Sequence, residues 1–333
     1  MSLEVFVLGT SGMQPLPGRF LTSAMVRRNG ELMLFDCGEG TQVSLKMLNL
    51  HWKRINRIFI SHMHADHVTG LPGRVMLSSQ VDRTEPLYIY GPDMLKEYID
   101  ANRRILDMYI NYEIRFVPVK PGLIIDDEDF TVEAVPLLHT KPCFGYVLTE
   151  KDRAGEFSVE NAKALGIPCG PMWGQLQRGM SVELDDGRVI EPSQVLGKPR
   201  RGVKFAYITD TMYLGYIADH VKDADLLLCE GMFTRDLAQD AYEKKHMTSS
   251  QAATIALNAG AKKLGLIHYS PRYTDKELSL LKDEAREIFE NTVLCRDRYS
   301  FEINNPDCFL SPGCFLIPLF SFILRFRLQA PQS

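Results

Sequence analysis

The cluster His62-Met63-His64-Ala65-Asp66-His67 constrains the fold of this chain more than any other feature. It follows directly after the apolar run at residues 57–60, which is typical of a buried strand that ends in a turn. Side chains at a strand end point into the space beyond the sheet, and imidazole and carboxylate groups are common metal ligands. The cluster therefore predicts a metal site at the end of a buried strand.

The spacing inside the cluster predicts two neighbouring ions. His62 and His64 are two residues apart, so they face the same way on an extended backbone. Asp66 and His67 come one turn later and reach a second ion. The alternative, a solvated polar turn, is disfavoured because the residue types and the preceding strand both suit a metal site.

Further ligands are expected, since each zinc ion needs about four, with one position left for water. The chain supplies candidates after later predicted strands: His139 after residues 130–136, Asp210 after 205–208 and His268 after 263–267. Singly, each is more typical of a turn or a cap. As a set they predict a paired-metal hydrolase, because a carboxylate such as Asp210 bridges two cations that act together on a phosphodiester.

Composition agrees with a globular enzyme of one large or two modest domains. Hydrophobic residues make up 45% of the 333 residues, enough for a sizeable core. The net charge of -4 gives no overall attraction to nucleic acid, so such a partner must be met by local basic patches. Seven cysteines without Cys-x-x-Cys spacing, and a start without a secretion signal, predict reduced thiols and a cytoplasmic location.

Hydrophobic periodicity predicts an alternation of strands and helices. Predicted strands occupy residues 4–8, 24–28, 31–35, 57–60, 87–90, 113–118, 130–136, 145–149, 205–208, 226–229, 263–267 and 300–303. Predicted helices occupy residues 41–48, 70–80, 94–104, 234–243, 248–259 and 276–289. Such mixing predicts an α/β protein whose sheets are covered by helices.

The ligand set resembles that of the metallo-β-lactamase superfamily, whose fold is a four-layer αββα sandwich. The segment Phe35-Asp36-Cys37-Gly38-Glu39-Gly40-Thr41-Gln42, with Leu8-Gly9-Thr10 at the start, is similar to the short form of the ribonuclease Z family. The resemblance covers residues 1–303. It implies a cytoplasmic, zinc-dependent endoribonuclease that removes the 3′ trailer from precursor tRNA, leaving a tRNA 3′ hydroxyl and a trailer 5′ phosphate.

The resemblance also implies roles for individual residues. Its metal ligands are His62, His64, Asp66, His67, His139, Asp210 and His268. Asp66 also accepts the proton of the attacking water, while His246, assisted by Glu230, protonates the departing 3′ oxygen. Asp36 supports the metal site from behind its ligands. By residue type alone, His246 also fits a helix entry beside a Thr248 or Ser249 cap, and Asp36 a glycine-rich turn.

The resemblance further implies two Zn²⁺ per subunit and a homodimer in which one subunit's arm serves the other's site. Imidazole-rich ligands favour zinc, and the carboxylates leave manganese open.

Residues 150–200 interrupt the alternation with a Gly- and Pro-rich, basic segment. It resembles the flexible arm, at about residues 150–180, with which the ribonuclease Z family clamps the tRNA elbow. Phosphate contacts of this kind position RNA without reading its sequence. The alternative is an ordinary surface loop, although loops this long are uncommon without a function. The candidate RNA-binding residues are Lys151, Arg153, Lys163 and Arg178 in the segment, Arg200 and Arg201 after it, and Arg272 near His268. Arg272 either holds a phosphate near the cut or pairs with an acidic surface residue.

Residues 304–333 form an apolar tail that the resemblance does not explain. Its most apolar part, residues 308–324, is interrupted by prolines and is shorter than the ~20 residues that a membrane-spanning helix needs. We therefore expect no transmembrane segment. Two rival functions stay open at this point. One is a hydrolase of the same fold acting on a small phosphodiester or thioester, and the other is a binding subunit without catalysis.

Overall fold

Two seven-stranded sheets pack face to face in the computed structural model, which describes residues 2–79 and 83–304. The first sheet contains β1 (Ser2–Gly9), β2 (Ser23–Arg28), β3 (Glu31–Phe35), β4 (Ile55–Phe59), β5 (Leu87–Gly91), β6 (Ile114–Pro118) and β16 (Ser300–Asn304). The second contains β7 (Gly122–Asp126), β8 (Phe130–Pro136), β9 (Phe144–Glu150), β12 (Lys204–Ile208), β13 (Leu226–Glu230), β14 (Leu264–Ile267) and β15 (Thr292–Leu294). A separate hairpin pairs β10 (Val182–Glu183) with β11 (Val189–Ile190).

Helices cover the outer face of each sheet. In chain order, the α-helices of the described residues are α1 (Thr41–Met47), α2 (Ala65–Val68), α3 (Leu71–Ser79), α4 (Met94–Ile105), α5 (Val159–Ala164), α6 (Pro171–Gln177), α7 (Ile217–His220), α8 (Ala238–Glu243), α9 (Ser249–Asn258) and α10 (Leu278–Arg286). Apolar residues of α1, α3 and α4 pack on the first sheet, and those of α7, α9 and α10 on the second. The predicted four-layer αββα sandwich is confirmed.

Strand β3 shows how the sequence produces these layers. Successive side chains of a strand point to opposite faces. Met33 and Phe35 face the second sheet, while Leu32 and Leu34 face the helices of the first sheet. Strands that are buried on both faces read as continuous apolar runs, as this one does.

Aromatic rings fill the space between the sheets. The ring of Phe35 stacks on Phe59 with centroids 4.9 Å apart and meets Phe205 edge-on at 5.5 Å. Tyr146 and Tyr207 complete the same cluster, and all five side chains are fully buried. Large aromatic side chains dominate the energetics of such a core.

The directions of the strands decide where the candidate site lies. Strands β3 to β6 are parallel, and so are β12 to β15. Strands β8 and β12 both pair antiparallel with β9, so they run the same way. The carboxyl ends of β8, β12 and β14 therefore meet at one edge of the second sheet.

Every strand and helix predicted from the sequence is present, with ends that shift by a few residues; the predicted helix at 234–243 begins as a 3-10 turn, Arg235–Leu237. Strands β7 and β15 were not predicted. Both lie at the ends of the second sheet, where edge strands are short and less regular in pattern. Helices α2 and α7 also escaped prediction, because four residues are too few for a helical period.

The segment that interrupts the predicted alternation, residues 151–203 between β9 and β12, is a folded insertion. Between β9 and β12 it contains α5, α6 and the β10–β11 hairpin, which bury a small apolar cluster of their own. That cluster includes Ile167, Leu176, Ile190 and Val195. The ordered elements continue beyond residue 180, up to β12.

In the part of the chain that the structure describes, no helix combines the length and the apolar character needed to cross a lipid bilayer. Of the apolar tail expected at residues 304–333, only residue 304 belongs to the described part.

We predict that Phe35→Ala lowers the free energy of unfolding by about 3–5 kcal/mol, because it leaves a cavity between four aromatic neighbours. Chemical denaturation measures this loss. The exposed Tyr109 provides the control, since Tyr109→Ala removes an aromatic ring that is 79% exposed. A loss for Phe35→Ala no larger than that for Tyr109→Ala would contradict the packing described here.

Candidate metal centre

The seven candidate ligands lie together at the edge where the strand ends meet. His62 and His64 follow β4, and Asp66 and His67 occupy the first turn of α2. The remaining three follow the ends of β8, β12 and β14: His139, Asp210 and His268. The fold thus brings together residues that are up to 206 positions apart in the sequence, from His62 to His268.

The ligand atoms form two groups that share one carboxylate. The first group is His62, His64, His139 and Asp210, and the second is Asp66, His67, Asp210 and His268. Within each group the donor atoms lie within 4.8 Å of one another.

Asp210 turns one oxygen to each group. Its Oδ2 lies 3.7 Å from Nε2 of both His62 and His139. Its Oδ1 lies 3.3 Å from Nε2 of His67 and 3.1 Å from Nε2 of His268. With one oxygen turned to each group, Asp210 would be able to hold a cation in both groups at once.

The donor set fits a metal ion in each group. The Nε2 atoms of His62 and His67 are buried, and neither has a hydrogen-bond partner among the described residues. Burying a nitrogen acceptor or donor without a partner is costly, and coordination removes that cost. Imidazole nitrogens with carboxylate oxygens suit zinc, and they also accept manganese.

Asp36 holds His67 in place from behind. The carboxylate is fully buried and accepts a 2.7 Å hydrogen bond from Nδ1 of His67, which leaves Nε2 turned toward Asp210. It also accepts bonds from the backbone N–H and the hydroxyl of Ser61, and from the Tyr207 hydroxyl at 2.9 Å. A hydrogen-bonded carboxylate behind a histidine fixes the orientation of the ring.

The backbone around the centre is strained. The backbone φ angle is 53° at Asp36 and 58° at His268, and residues other than glycine rarely adopt such positive values. Gly12 packs so closely that a Cβ atom there would lie 2.6 Å from the His268 ring. Next to it, the Met13 N–H donates a 2.7 Å hydrogen bond to Oδ2 of Asp66. The close packing of Gly12 therefore fixes the position of His268 in the second group, and the Met13 hydrogen bond fixes that of Asp66.

Sequence reasoning missed Ser61, Tyr207 and Met13. Ser61 had a weak signal, because it directly precedes His62. Nothing in the sequence pointed to Tyr207 or Met13. The contact of Tyr207 with Asp36 joins positions 171 residues apart, and that of Met13 with Asp66 joins positions 53 residues apart.

His246 and Glu230 lie beside the centre. The ring of His246 lies 4.6 Å from that of His139 and 5.5 Å from that of His268, measured between centroids. Its Nδ1 is 3.1 Å from Oε2 of the fully buried Glu230, which also accepts bonds from the backbone of Thr211 and Met247. Glu230 is thereby held against the imidazole.

Burial lowers the pKa of His246, but the charge of Glu230 and its hydrogen bond outweigh burial and raise the pKa to about 9. The contact with Glu230 therefore favours the protonated form of the ring, which can donate a proton. The cap of α9 is formed by Thr248, whose side chain accepts from the Gln251 N–H. His246 lies at the helix entry but takes no part in the cap.

The predicted RNA-binding residues fall into two classes. Lys163 on α5 and Arg178 after α6 are exposed on the insertion. Those at its base make contacts within the protein: Lys151 with Asp126 at 2.6 Å, Arg153 with Glu150 at 3.3 Å, Arg200 with the Ala154 carbonyl at 3.3 Å and Arg201 with Asp225 at 3.4 Å. Lys163 and Arg178 are therefore better placed to contact RNA than the residues at the base of the insertion.

Arg272 is connected to the metal centre by the ring of Phe233, which lies between Arg272 and His246. Its guanidinium sits 4.9 Å from the centre of the Phe233 ring, and Phe233 contacts His246 with centroids 6.1 Å apart. Within residues 2–79 and 83–304 it forms no ion pair with a carboxylate; its Nε donates to the Ser270 hydroxyl. The exposed guanidinium is thus available to an anion close to His246.

Comparison with known proteins places this geometry in a family. The model described as "Anti-Pycsar protein Apyc1" matches residues 3–148, and the "Beta-lactamase superfamily domain" model matches residues 178–269. Ribonuclease Z of Treponema denticola is 56% identical over 308 residues, which are 92% of this chain and 100% of that protein. Ribonuclease Z of Borrelia hermsii is 42% identical over 87% of this chain and 93% of its own. The chain belongs to the ribonuclease Z family.

Solved structures agree with this assignment. The human tRNase Z, short form, superposes with a TM-score of 0.65 at 27% identity, covering 90% of this chain and 99% of its own. A diphosphatase from the PhnP family shares the fold with a TM-score of 0.61 at 16% identity, covering 91% and 98%. Membership makes this chain a metallo-β-lactamase-fold hydrolase and an endoribonuclease, and it sets aside a binding subunit without catalysis.

The shared carboxylate leads to a prediction about metal content. Asp210→Ala should lose both ions, since each group loses a ligand and the bridge disappears. His64→Ala should lose chiefly one, because His64 belongs to the first group alone. Elemental analysis of the purified variants measures the ratio of metal to protein. His51→Ala, which changes an exposed histidine outside the site, serves as the control. Equal retention of metal by all three variants would show that these groups are not the binding sites.

Proposed function

We propose that this chain is a zinc-dependent endoribonuclease that removes the 3′ trailer from precursor tRNA, leaving a tRNA 3′ hydroxyl and a 5′-phosphorylated trailer. The observation that carries the proposal is the pair of donor groups sharing Asp210, next to the His246–Glu230 pair, in a member of the ribonuclease Z family. The proposed metal ligands are those of the two groups. Two zinc ions, when bound, activate water and neutralise charge on the phosphoryl oxygens.

Asp66 and His246 divide the proton transfers in this proposal. The Asp66 carboxylate, held by the Met13 N–H, accepts the proton of the attacking water. His246, protonated through its contact with Glu230, donates a proton to the departing 3′ oxygen. Arg272 contacts the phosphate next to the cut, because it reaches the same corner through Phe233.

The insertion supplies the contacts with the tRNA elbow. Since β9 runs antiparallel to β12, the insertion leaves the second sheet at the edge opposite to Asp210. An RNA that contacts both an insertion and a metal centre must therefore span a long distance, as a folded tRNA does. Lys163 and Arg178 are exposed there for phosphate contacts.

A homodimer fits the same topology. An insertion that starts at the far edge is well placed to serve the centre of a second subunit. The helices over the first sheet expose several large apolar side chains, which often mark protein interfaces: Val43, Met47, Met76 and Ile105. The proposed location is the cytoplasm, since the cysteines of the described part are free thiols.

We expect His246→Ala to keep its zinc while cleavage of precursor tRNA falls by about 10²–10⁴-fold, the usual contribution of a general acid. Hydrolysis of bis(p-nitrophenyl) phosphate should fall much less, because p-nitrophenolate leaves without a proton. Steady-state kinetics and metal analysis on one preparation test both statements. Equal losses of metal and activity would instead assign His246 to the structure of the centre.

Replacing residues 159–194 with a short Gly/Ser linker should abolish processing of precursor tRNA and leave hydrolysis of bis(p-nitrophenyl) phosphate intact. The ends are already joined, since the Ser158 N–H donates to the Val195 carbonyl at 2.7 Å. The double variant Lys163→Ala/Arg178→Ala should bind precursor tRNA more weakly, and its binding should depend less on salt concentration than that of the parent, because fewer phosphate contacts release fewer counterions. Unimpaired tRNA cleavage by the linker variant would refute the role of the insertion.

A further inference from the structure

The insertion is attached to the second sheet by a two-strand neck, residues 150–158 and 195–203. The backbones of Arg153 and Arg200 exchange two hydrogen bonds of 2.9 Å. The Glu150 N–H donates to the Val203 carbonyl at 2.9 Å, nearer to the sheet. The neck therefore extends the β9–β12 pairing through isolated antiparallel bridges, Arg153 with Arg200 and Phe157 with Leu196, and is not a loose tether.

Glu150 stands at the root of the neck, and its side chain is only 8% exposed. Its Oε1 accepts a 2.8 Å hydrogen bond from Nε of Arg28 and lies 3.3 Å from Nη2 of Arg153. Its Oε2 accepts a longer bond, 3.4 Å, from the Val203 N–H. One carboxylate thus contacts both strands of the neck.

Arg28 belongs to the other sheet. It is the last residue of β2, and its side chain is 4% exposed. Its guanidinium lies 4.8 Å from the centre of the Phe130 ring, and Nη2 is 3.4 Å from Asp129. The Arg28–Glu150 ion pair therefore ties the neck to the first sheet as well as the second.

Close packing leaves the neck little freedom at this point. A Cβ atom on Gly202 would lie 1.8 Å from the Glu150 carbonyl oxygen, so the two strands approach as closely as a glycine allows. The Gly202 N–H donates to the Asp152 carboxylate at 2.9 Å. Removing one partner of a buried ion pair leaves the other charge buried without compensation, so the pair holds its geometry firmly.

We propose that Glu150 is a positioning residue that, through its ion pair with Arg28, sets the direction in which the insertion leaves the sandwich and thereby the affinity for precursor tRNA. The proposal rests on the proposed function of the insertion. Glu150 touches neither the centre nor the tip of the insertion. A small rotation at the root displaces the tip by more, because displacement grows with distance from the pivot.

The test compares Glu150→Gln with Glu4→Gln. Glu4 pairs with Arg27, the neighbour of Arg28 on β2, in a more exposed ion pair that does not contact the neck. For Glu150→Gln we expect KM for precursor tRNA to rise on the order of tenfold with kcat little changed, since misplacement far from the chemistry weakens binding. Hydrolysis of bis(p-nitrophenyl) phosphate should not change. Glu4→Gln should match the parent on both substrates.

Hydrogen exchange of the full-length protein without RNA gives a second readout. Amides at residues 151–158 and 196–203 should exchange faster in Glu150→Gln than in the parent or in Glu4→Gln. Arg28→Lys, which keeps the charge, should retain more tRNA affinity than Arg28→Met, and these two variants replace Glu150→Gln if it does not fold. Unchanged KM, equal losses on both substrates, or unchanged exchange at the neck would overturn the proposal. A parent protein that does not cut precursor tRNA would refute the proposed function instead, while the exchange data would still decide whether the ion pair holds the neck.

Discussion

The candidate metal centre depends on one carboxylate that faces two ways. Asp210 presents Oδ1 to one set of donors and Oδ2 to the other, so both sets must converge on the end of β12. That requirement needs β4 from one sheet and β8, β12 and β14 from the other to end at a common edge. The sandwich satisfies it because an aromatic cluster around Phe35 holds the sheets face to face. The two sets of metal donors and the aromatic core therefore depend on the same condition, namely that these four strands end at a common edge.

Much of the site was predictable because its residues carry local signals. His62 to His67 form a contiguous cluster, and His139, Asp210 and His268 each follow an apolar strand. Parallel strands end at one edge, so position along the chain translated into position in space. The roles of Asp36, Glu230 and His246 came from the family resemblance. The structure adds the contacts through which these residues would act, such as the hydrogen bond from His67 to Asp36.

The parts that sequence reasoning did not predict depend on long-range partners. Basic residues near the insertion looked alike in the sequence, yet Lys151 pairs with Asp126 and Arg201 with Asp225, whereas Lys163 is exposed. A pattern shows the charge of a residue but not the neighbour that neutralises it. The internal order of the insertion was missed for a related reason. Its helices have six and seven residues, too short for a clear period, and its small core forms only when distant segments meet.

The opposite placement of insertion and metal centre on β12 has an evolutionary consequence. A change of insertion alters which substrate the protein binds without disturbing the metal ligands, since the five residues of β12 separate the insertion from Asp210. Relatives with the same sandwich can therefore exchange one recognition module for another and inherit the hydrolytic machinery whole. The diphosphatase that shares this fold at 16% identity shows how widely sequences on such a scaffold diverge.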